Sequence, residues 1–414
     1  MANKIRTALV FTMIFLPLMV FSKDGARVRF CFAGDLMQHG SQIRSAYQPD
    51  GTYLYDTCFS FVTDRFYEAD YTAMNIETTF SGPPYTGYPS FSSPGQLAAA
   101  VKKAGVNVFL TANNHILDKG VRGAYKTLEL YDSLGVYHIG TTRPWIILEK
   151  NGIRTALLNY TYTGNNNNRK DSFRLNLTDT SLIREHIRQV RDKGADCIIC
   201  CMHWGVEYQM YPSPGQRQLA RWLHQEGVTA VIGSHPHVPQ SIDIVTDPEG
   251  KTSFMAAYSL GNFISNQPEP FTRMGMILCF DIVLTKTGPR IESAWYEWIW
   301  TWRPAGDGEK TYLALPVSDE RLYREAIKDR SDSELIGKTL KTLRNFMRET
   351  SPGIVERKRY PAYERKNLYF GIHPSILPVW TRQPIDPPVK TKLSPIKSYS
   401  QGRTNQGPGT GGNN

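Results

Sequence analysis

Four short segments set metal-binding or acid-base side chains directly after runs of strand-forming residues: Glu77 in Asn75-Ile76-Glu77, His115 in Asn113-Asn114-His115, His203 in His203-Trp204-Gly205, and His235-Pro236-His237. With Asp35, which follows Gly34, they offer carboxylate oxygens and imidazole nitrogens from remote parts of the chain. That is the donor set of a divalent cation site, and the chemistry it suggests is metal-dependent hydrolysis.

Each candidate has its own logic. Proline favours an extended conformation in the residue before it, and in an extended chain positions i and i+2 project to one side about 6.6 Å apart. His235 and His237 placed in that way face two cations about 3.5–4 Å apart, or one metal and a substrate oxygen. Asp35 and Glu77 are the carboxylates that balance a cation's charge, because a buried carboxylate needs a cation or a donor as partner. The amide oxygen of Asn114 can ligate a metal while the adjacent His115 stays free for proton transfer. Asp118 either holds that imidazole in one tautomer or caps the helix expected to begin near Val121. Asn262, in Tyr258-Ser259-Leu260-Gly261-Asn262-Phe263, could orient substrate beside a tight turn, although turn duty alone explains it. His39, His138, His186, His224 and His373 read as packing or surface residues, with His39 kept in view for its closeness to Asp35.

The elements that must position these groups alternate. Val28–Ala33, Tyr71–Met74, Val106–Leu110, Cys197–Met202 and Val228–Ile232 have strand composition, and each runs into one of the polar segments. Between them, Gln96–Ala104, Val121–Leu134, Thr178–Lys193 and Gln216–Gln225 carry helical period. Alternation of strand and helix predicts parallel pairing with a ligand site at the carboxyl ends of the strands. After Ser253 the pattern becomes strand upon strand, Phe254–Leu260, Met274–Leu284 and Ile291–Trp302, which predicts an antiparallel sheet packed on the first. Trp298, Trp300 and Trp302 alternate like a core-facing strand, and Asp332–Arg348 has helical period.

Length and composition bound the rest. The 414 residues are 41% hydrophobic and 21% charged, enough for a large core and unlike a disordered chain. The first 22 residues hold Lys4, Arg6 and an apolar run from Ala8 to Phe21, which suits an export signal; an N-terminal anchor is the alternative. Formal charge is +10, and Ser351–Lys397 has nine basic residues against three acidic ones, a stretch that attracts acidic polymers or lipid surfaces, or simply aids solubility. Cys197, Cys200 and Cys201 share one apolar run, where alternation points a Cys-x-x-Cys pair to opposite faces; with Cys31 and Cys279 they read as buried free thiols. Neither a Gly-x-Ser-x-Gly elbow nor a phosphate-cradling glycine loop is present, and nothing resembles a nucleic-acid module.

In combination, Gly34-Asp35-Leu36-Met37, Asn75-Ile76-Glu77, Ala112-Asn113-Asn114-His115 with Asp118 and Gly120, His203-Trp204-Gly205 with Glu207, Gly233-Ser234-His235-Pro236-His237-Val238 with Gln240, and Tyr258–Phe263 carry a resemblance. In order and spacing they resemble the CapA-like family of poly-γ-glutamate capsule synthesis proteins, itself similar to calcineurin-like metallophosphatases. The resemblance covers about Val28 to Val283. It implies an α/β fold, a four-layer αββα sandwich of two mixed sheets. By analogy Asp35, Glu77, Asn114, His203, His235 and His237 match the metal positions, with Glu77 as bridge, for one or two ions of Mn, Fe or Zn. His115, with Asp118, matches the group that contacts substrate or protonates the leaving group, and Asn75, Asn113, Glu207 and Asn262 fall beside the substrate. Met37 stands where the wider superfamily has His, and Glu77 where it has Asp. Composition and the resemblance together give the expected organisation: a signal peptide or anchor over 1–22, the CapA-like domain over 23–316, a partly helical extension over 317–375 and a disordered tail over 376–414. The implied role is that of an exported hydrolase, periplasmic or on the outer face of the cytoplasmic membrane. It would act on a phosphorylated substrate or an anionic polymer beside membrane-associated capsule machinery, with no nucleic-acid partner. A non-catalytic polymer-binding factor is the alternative.

Overall fold

Side-chain alternation along the first strand, β1 (Arg27–Leu36), separates two cores: Phe30 and Phe32 enter one apolar cluster, Cys31 and Ala33 another on the opposite face. The computed structural model describes residues 25–165, 173–304, 312–327 and 329–358. The expected signal or anchor over 1–22, the tail over 376–414, His373 and most of the basic stretch lie outside them. The chain divides into two units, Met1–Pro374 and Ser375–Asn414, and every described residue belongs to the first.

The further strands are β2 (Tyr71–Ile76), β3 (Val108–Leu110), β4 (Tyr137–Ile139), β5 (Trp145–Lys150), β6 (Ile153–Thr161), β7 (Cys197–His203), β8 (Ala230–Ser234), β9 (Ile242–Thr246), β10 (Thr252–Ala257), β11 (Asn262–Ile264), β12 (Met274–Thr285), β13 (Gly288–Trp302), β14 (Leu313–Pro316) and β15 (Val355–Glu356). The helices are α1 (Gly40–Ala46), α2 (Thr63–Tyr67), α3 (Gly95–Lys103), α4 (Gly120–Leu134), α5 (Thr180–Asp192), α6 (Pro214–Gln225), α7 (Glu320–Ala326) and α8 (Arg330–Thr350).

Hydrogen bonding orders the strands β4-β3-β2-β1-β12-β13-β10-β8-β7-β6-β5. The two halves meet where β13 touches β10 at the pair Thr252 and Ile291. They also face each other. Phe32, Ala73 and Leu110 of the first half share one cluster with Ile199, Cys201, Ile232 and Met255 of the second. On the outer face of the first half Cys31 and Ala33 pack with Leu97, Val101 and Tyr131 of α3 and α4. On the outer face of the second, Ile198, Cys200 and Met202 pack with Ile183, Ile187 and Leu223 of α5 and α6. The layers therefore run helix, sheet, sheet, helix, each sheet mixed, and α7 and α8 add Tyr323, Ile336, Leu340 and Phe346 to the central cluster.

Three sequence expectations are corrected. The strands after Ser253 do not form a separate antiparallel sheet: β10 joins β8 in parallel, while β12 and β13 extend the half that contains β1. Periodicity marks a strand and its faces but not its partner. The second correction concerns Cys31 and Cys279, expected as free thiols. They are opposite residues in the antiparallel β1–β12 ladder, Cα atoms 4.2 Å apart, and form a disulfide across 248 positions. Cys58, Cys197, Cys200 and Cys201 are free and buried, and burial pushes the Cys197 thiol up to about 12. Finally, His235 and His237 are not extended, with φ of 96° and 60°. Trp298 and Trp300 lie in the core as expected, fully buried.

Candidate metal centre

The polar segments gather because five strands end at one edge and their backbones approach closely. β1 pairs with β2 in parallel and with β11 at Asp35 and Asn262, and β7 pairs with β8 so that His203 lies opposite Ser234. Two glycines permit the approach. A Cβ at Gly34 would fall on the carbonyl oxygen of Gly261, and one at Gly233 on that of Tyr258.

Asp35, Glu77, His203, His235, His237 and Asn114 converge, all buried. Donor atoms of Asp35, Glu77 and His237 lie within 4.8 Å of one another, as do those of Glu77, His203 and His235. Glu77 belongs to both groups, the position of a bridging carboxylate. Nε2 of His203 is 2.8 Å from Oδ1 of Asn114 and 3.7 Å from Oε1 of Glu77, and Nε2 of His237 is 3.8 Å from the same oxygen.

Two buried atoms in this cluster, Oε1 of Glu77 and Nδ1 of His235, have no hydrogen-bond partner, whereas buried polar atoms in proteins nearly always have one. Glu77 is held well above the usual carboxylate range, first by burial and then by the negative charges of Asp35, Glu207 and Asp118. Burial together with the neighbouring histidines holds His203 well below the usual imidazole range and His235 down at about 4, so both rings are neutral at pH 7 and their lone pairs are available. Buried carboxylates, neutral imidazoles and orphaned donor atoms are what a divalent cation resolves, and the residues fit one.

The other expected residues take distinct places. Asp118 does not cap α4, whose N-cap is Lys119; its Oδ2 accepts from Nδ1 of His115 at 2.7 Å and from the backbone N–H of Phe91 at 2.8 Å. That choice leaves Nε2 of His115 to take up or give back a proton. Asn75 and Asn262, expected at the substrate, hydrogen-bond candidate ligand side chains, and Asn113, expected there too, braces Asn75. Asn75 Nδ2 donates to Oδ1 of Asp35 (2.8 Å) and Oε2 of Glu77 (3.1 Å), and Asn113 Nδ2 donates to the backbone carbonyl of Ile76 (2.9 Å) and to the side-chain Oδ1 of Asn75 (3.2 Å). Asn262 Oδ1 meets Nδ1 of His237 at 3.0 Å while its Nδ2 donates to the carbonyl of Thr272 at 2.8 Å. Glu207 lies within 4.8 Å of His235 and His237 donors. His39, half-buried, is lowered to about 4 by burial, and its ring bonds Gln42 and the backbone of Asn266.

Sequence reasoning missed several neighbours. Phe91 packs edge-on to His115, ring centroids 4.6 Å apart, and Tyr162 stands 4.7 Å from His235. Asn165 Nδ2 is 3.4 Å from Oδ1 of Asp118, and its backbone N–H donates to the carbonyl of Asn114 at 2.7 Å. A signal existed for Tyr162: Asn151-Gly152, both at positive φ, is a hairpin turn that announces β5 and β6, and β6 ends at Thr161. Tyr88, Tyr162 and Tyr208 are largely exposed rings around the cluster. A separate cavity of about 160 Å³, lined by Gln38, Gln42, Tyr55, Cys58 and Tyr312, includes none of the donors.

The class these features define is an α/β sandwich of two mixed sheets with a candidate metal-binding cluster of histidines and carboxylates at its strand ends. The family of bacterial capsule synthesis proteins PGA_cap matches residues 29–267, and the chain belongs to that family. It is 27% identical over 263 residues to the capsule biosynthesis protein CapA of Bacillus anthracis, covering 59% of this chain and 61% of that one. It is 28% identical over 275 residues to the PGA biosynthesis protein CapA of Bacillus subtilis, covering 62% and 68%. The match thus spans about six tenths of the anthracis relative. Among solved structures it is similar to the calcineurin-like phosphoesterase YfkN of Bacillus subtilis, at 12% identity and a TM-score of 0.38, covering 78% of this chain and 99% of that one. It is also similar to the NAD nucleotidase of Haemophilus influenzae, at 11% identity and a TM-score of 0.42, covering 77% and 56%. Both TM-scores are under 0.5, and the description of the fold stands on the strand order and packing above.

Proposed function

We propose that the protein is a metal-dependent hydrolase of phosphoester-type bonds, working in the making or export of an anionic, poly-γ-glutamate-like capsule polymer. The observation that carries the reading is the fully buried Glu77 carboxylate, whose Oε1 lacks a partner between His203 and His237 and whose charged neighbours are all acidic. Asp35, Glu77, Asn114, His203, His235 and His237 would hold one or two ions of Mn, Fe or Zn. Such a cation, when bound, supplies Lewis acidity and lowers the pKa of water from 15.7 to about 7, about 12 kcal/mol of differential stabilisation.

The chain's own groups do the rest. Asn75 and Asn262 fix the orientation of Asp35, Glu77 and His237. Asp118 holds the proton of His115 on Nδ1, so that Nε2 faces the reacting groups as proton carrier, and Phe91 packs on the ring to set its plane. The 1–22 segment supports export to the periplasm or the outer face of the cytoplasmic membrane, beside membrane-bound capsule machinery; sequencing the mature N-terminus tests it. Among the described residues no helix is long and apolar enough to cross a membrane.

The test is metal analysis of the purified full chain with turnover of aryl phosphates. His115→Ala should cut turnover about 10²–10⁴-fold and keep the metal, whereas His235→Ala loses both. Wild-type protein that neither holds metal nor turns over overturns the reading. The non-catalytic reading draws on the basic Ser351–Lys397 stretch. Salt-sensitive binding of polyglutamate that survives His115→Ala, without turnover in the wild type, would favour it.

A further inference from the structure

The loop that follows β7 brings one more carboxylate to the centre. It leaves the strand through Gly205 at φ 94° and turns again at Tyr208, φ 65°. Three hydrogen bonds tie it to the segment that holds the histidine pair. The backbone N–H of Trp204 donates to the Ser234 carbonyl (3.1 Å), that of Tyr208 donates to the Pro236 carbonyl (2.8 Å), and Gln240 Nε2 donates to the Gln209 carbonyl (2.7 Å). Glu207 is therefore delivered by the same scaffold as His235 and His237, and its oxygen lies within 4.8 Å of a donor atom on each. This group shares His235 with the group around His203 and shares His237 with the group around Asp35.

Three features separate Glu207 from an ordinary surface acid. It is half-buried, it faces two imidazoles, and one of them, His235, has a buried Nδ1 without a partner. We propose that Glu207 is a ligand of the centre's divalent cation, completing from the half-exposed side the donor set that Asp35, Glu77 and the histidines supply from within. The inference rests on the centre being the metal site described under Proposed function. With donor–ion bonds of about 2.0–2.2 Å, opposed donors on one ion lie up to about 4.4 Å apart, so the observed spacing asks for inward movement of only a few tenths of an ångström. A third carboxylate weights the set toward hard oxygen donors and hence toward Mn²⁺ over Zn²⁺. Because Glu207 stands on a loop, the ion also fixes the neighbouring, exposed Tyr208 at the mouth of the site.

Titration of chelator-stripped full-length protein with Mn²⁺, followed by calorimetry and by the electron spin resonance of free Mn²⁺, tests the proposal. Glu207→Gln should lose one class of ion or weaken it about 10–100-fold. Glu207→Asp should fall between the variant and wild type. Melting of Glu207→Gln in EDTA should match wild type, because the carboxylate's own hydrogen-bond partner, the Tyr208 hydroxyl, belongs to an exposed side chain that the Gln amide can still meet. Unchanged stoichiometry and affinity in Glu207→Gln overturns the inference and leaves the metal centre standing. Weakened binding that comes with a lowered melting temperature in EDTA assigns Glu207 a structural role and overturns it as well. A wild-type chain that takes up no ion overturns both this inference and the proposed function.

Discussion

Two buried charge clusters in this protein are solved in opposite ways. Under the first sheet half, Arg65 and Glu297, 2% and 5% exposed, form a two-pronged pair at 2.7 and 2.9 Å, so the chain carries both signs of the charge it buries. At the strand ends, Asp35 and Glu77 are buried just as deeply, yet the carboxylates acting on Glu77 are acidic and the imidazoles of His203 and His235 are held neutral by burial. One cluster is complete within the sequence and serves the fold. The other leaves Oε1 of Glu77 and Nδ1 of His235 without partners, which is the physical sense in which it is a candidate cation site.

The difference can be broken from either side. The largest effect falls on the complete pair: Arg65→Met strands Glu297 in the core and should cost about 3–5 kcal/mol in denaturant unfolding, while Arg65→Met with Glu297→Leu should recover most of it. Next comes the incomplete cluster. Adding the cation at a hundred times its Kd should stabilise wild type by about 2.7 kcal/mol, and Glu77→Gln should abolish that gain while melting in EDTA no lower than wild type, read by thermal unfolding with and without chelator. A more modest loss is expected from Asp118→Asn, about 10–100-fold in turnover with metal content kept, because His115 Nδ1 loses its carboxylate partner while an amide oxygen can still accept from the Phe91 backbone.

The smallest effect sharpens the contrast with histidines outside the centre. Burial lowers His138 below its ordinary value, against the raising influence of its bond to Asp132, with Arg143 adding to the lowering. The unfolded chain therefore binds the proton more readily than the folded one. That contribution to stability is whole above about pH 6.5 and is lost as pH falls below it. His138→Gln should flatten the slope of stability against pH just below about 6.5, and an unchanged slope would remove His138 from the account.

Much of this was legible in the sequence because local chemistry speaks locally. Glu77, His115, His203 and His235 stand at or just past strand ends, where the residue runs predicted them, and α3 to α6 begin within two residues of the expected positions. The Asn151-Gly152 turn was legible as well and would have added Tyr162. What stayed hidden depends on partners far off in sequence. Cys31 meets Cys279, Arg65 meets Glu297 and Asp118 meets the backbone of Phe91 only after strands have chosen neighbours.

Residue type and period determined by themselves which groups could bind a cation, which face of each strand is apolar and where helices interrupt. They could not determine that β12 inserts beside β1, that Asn262 turns to His237 rather than to solvent, or that Glu207 joins the histidine pair. Alternation with period two is a property of one strand, whereas register and the convergence of loops are properties of pairs, and only the folded chain brings the members of each pair together.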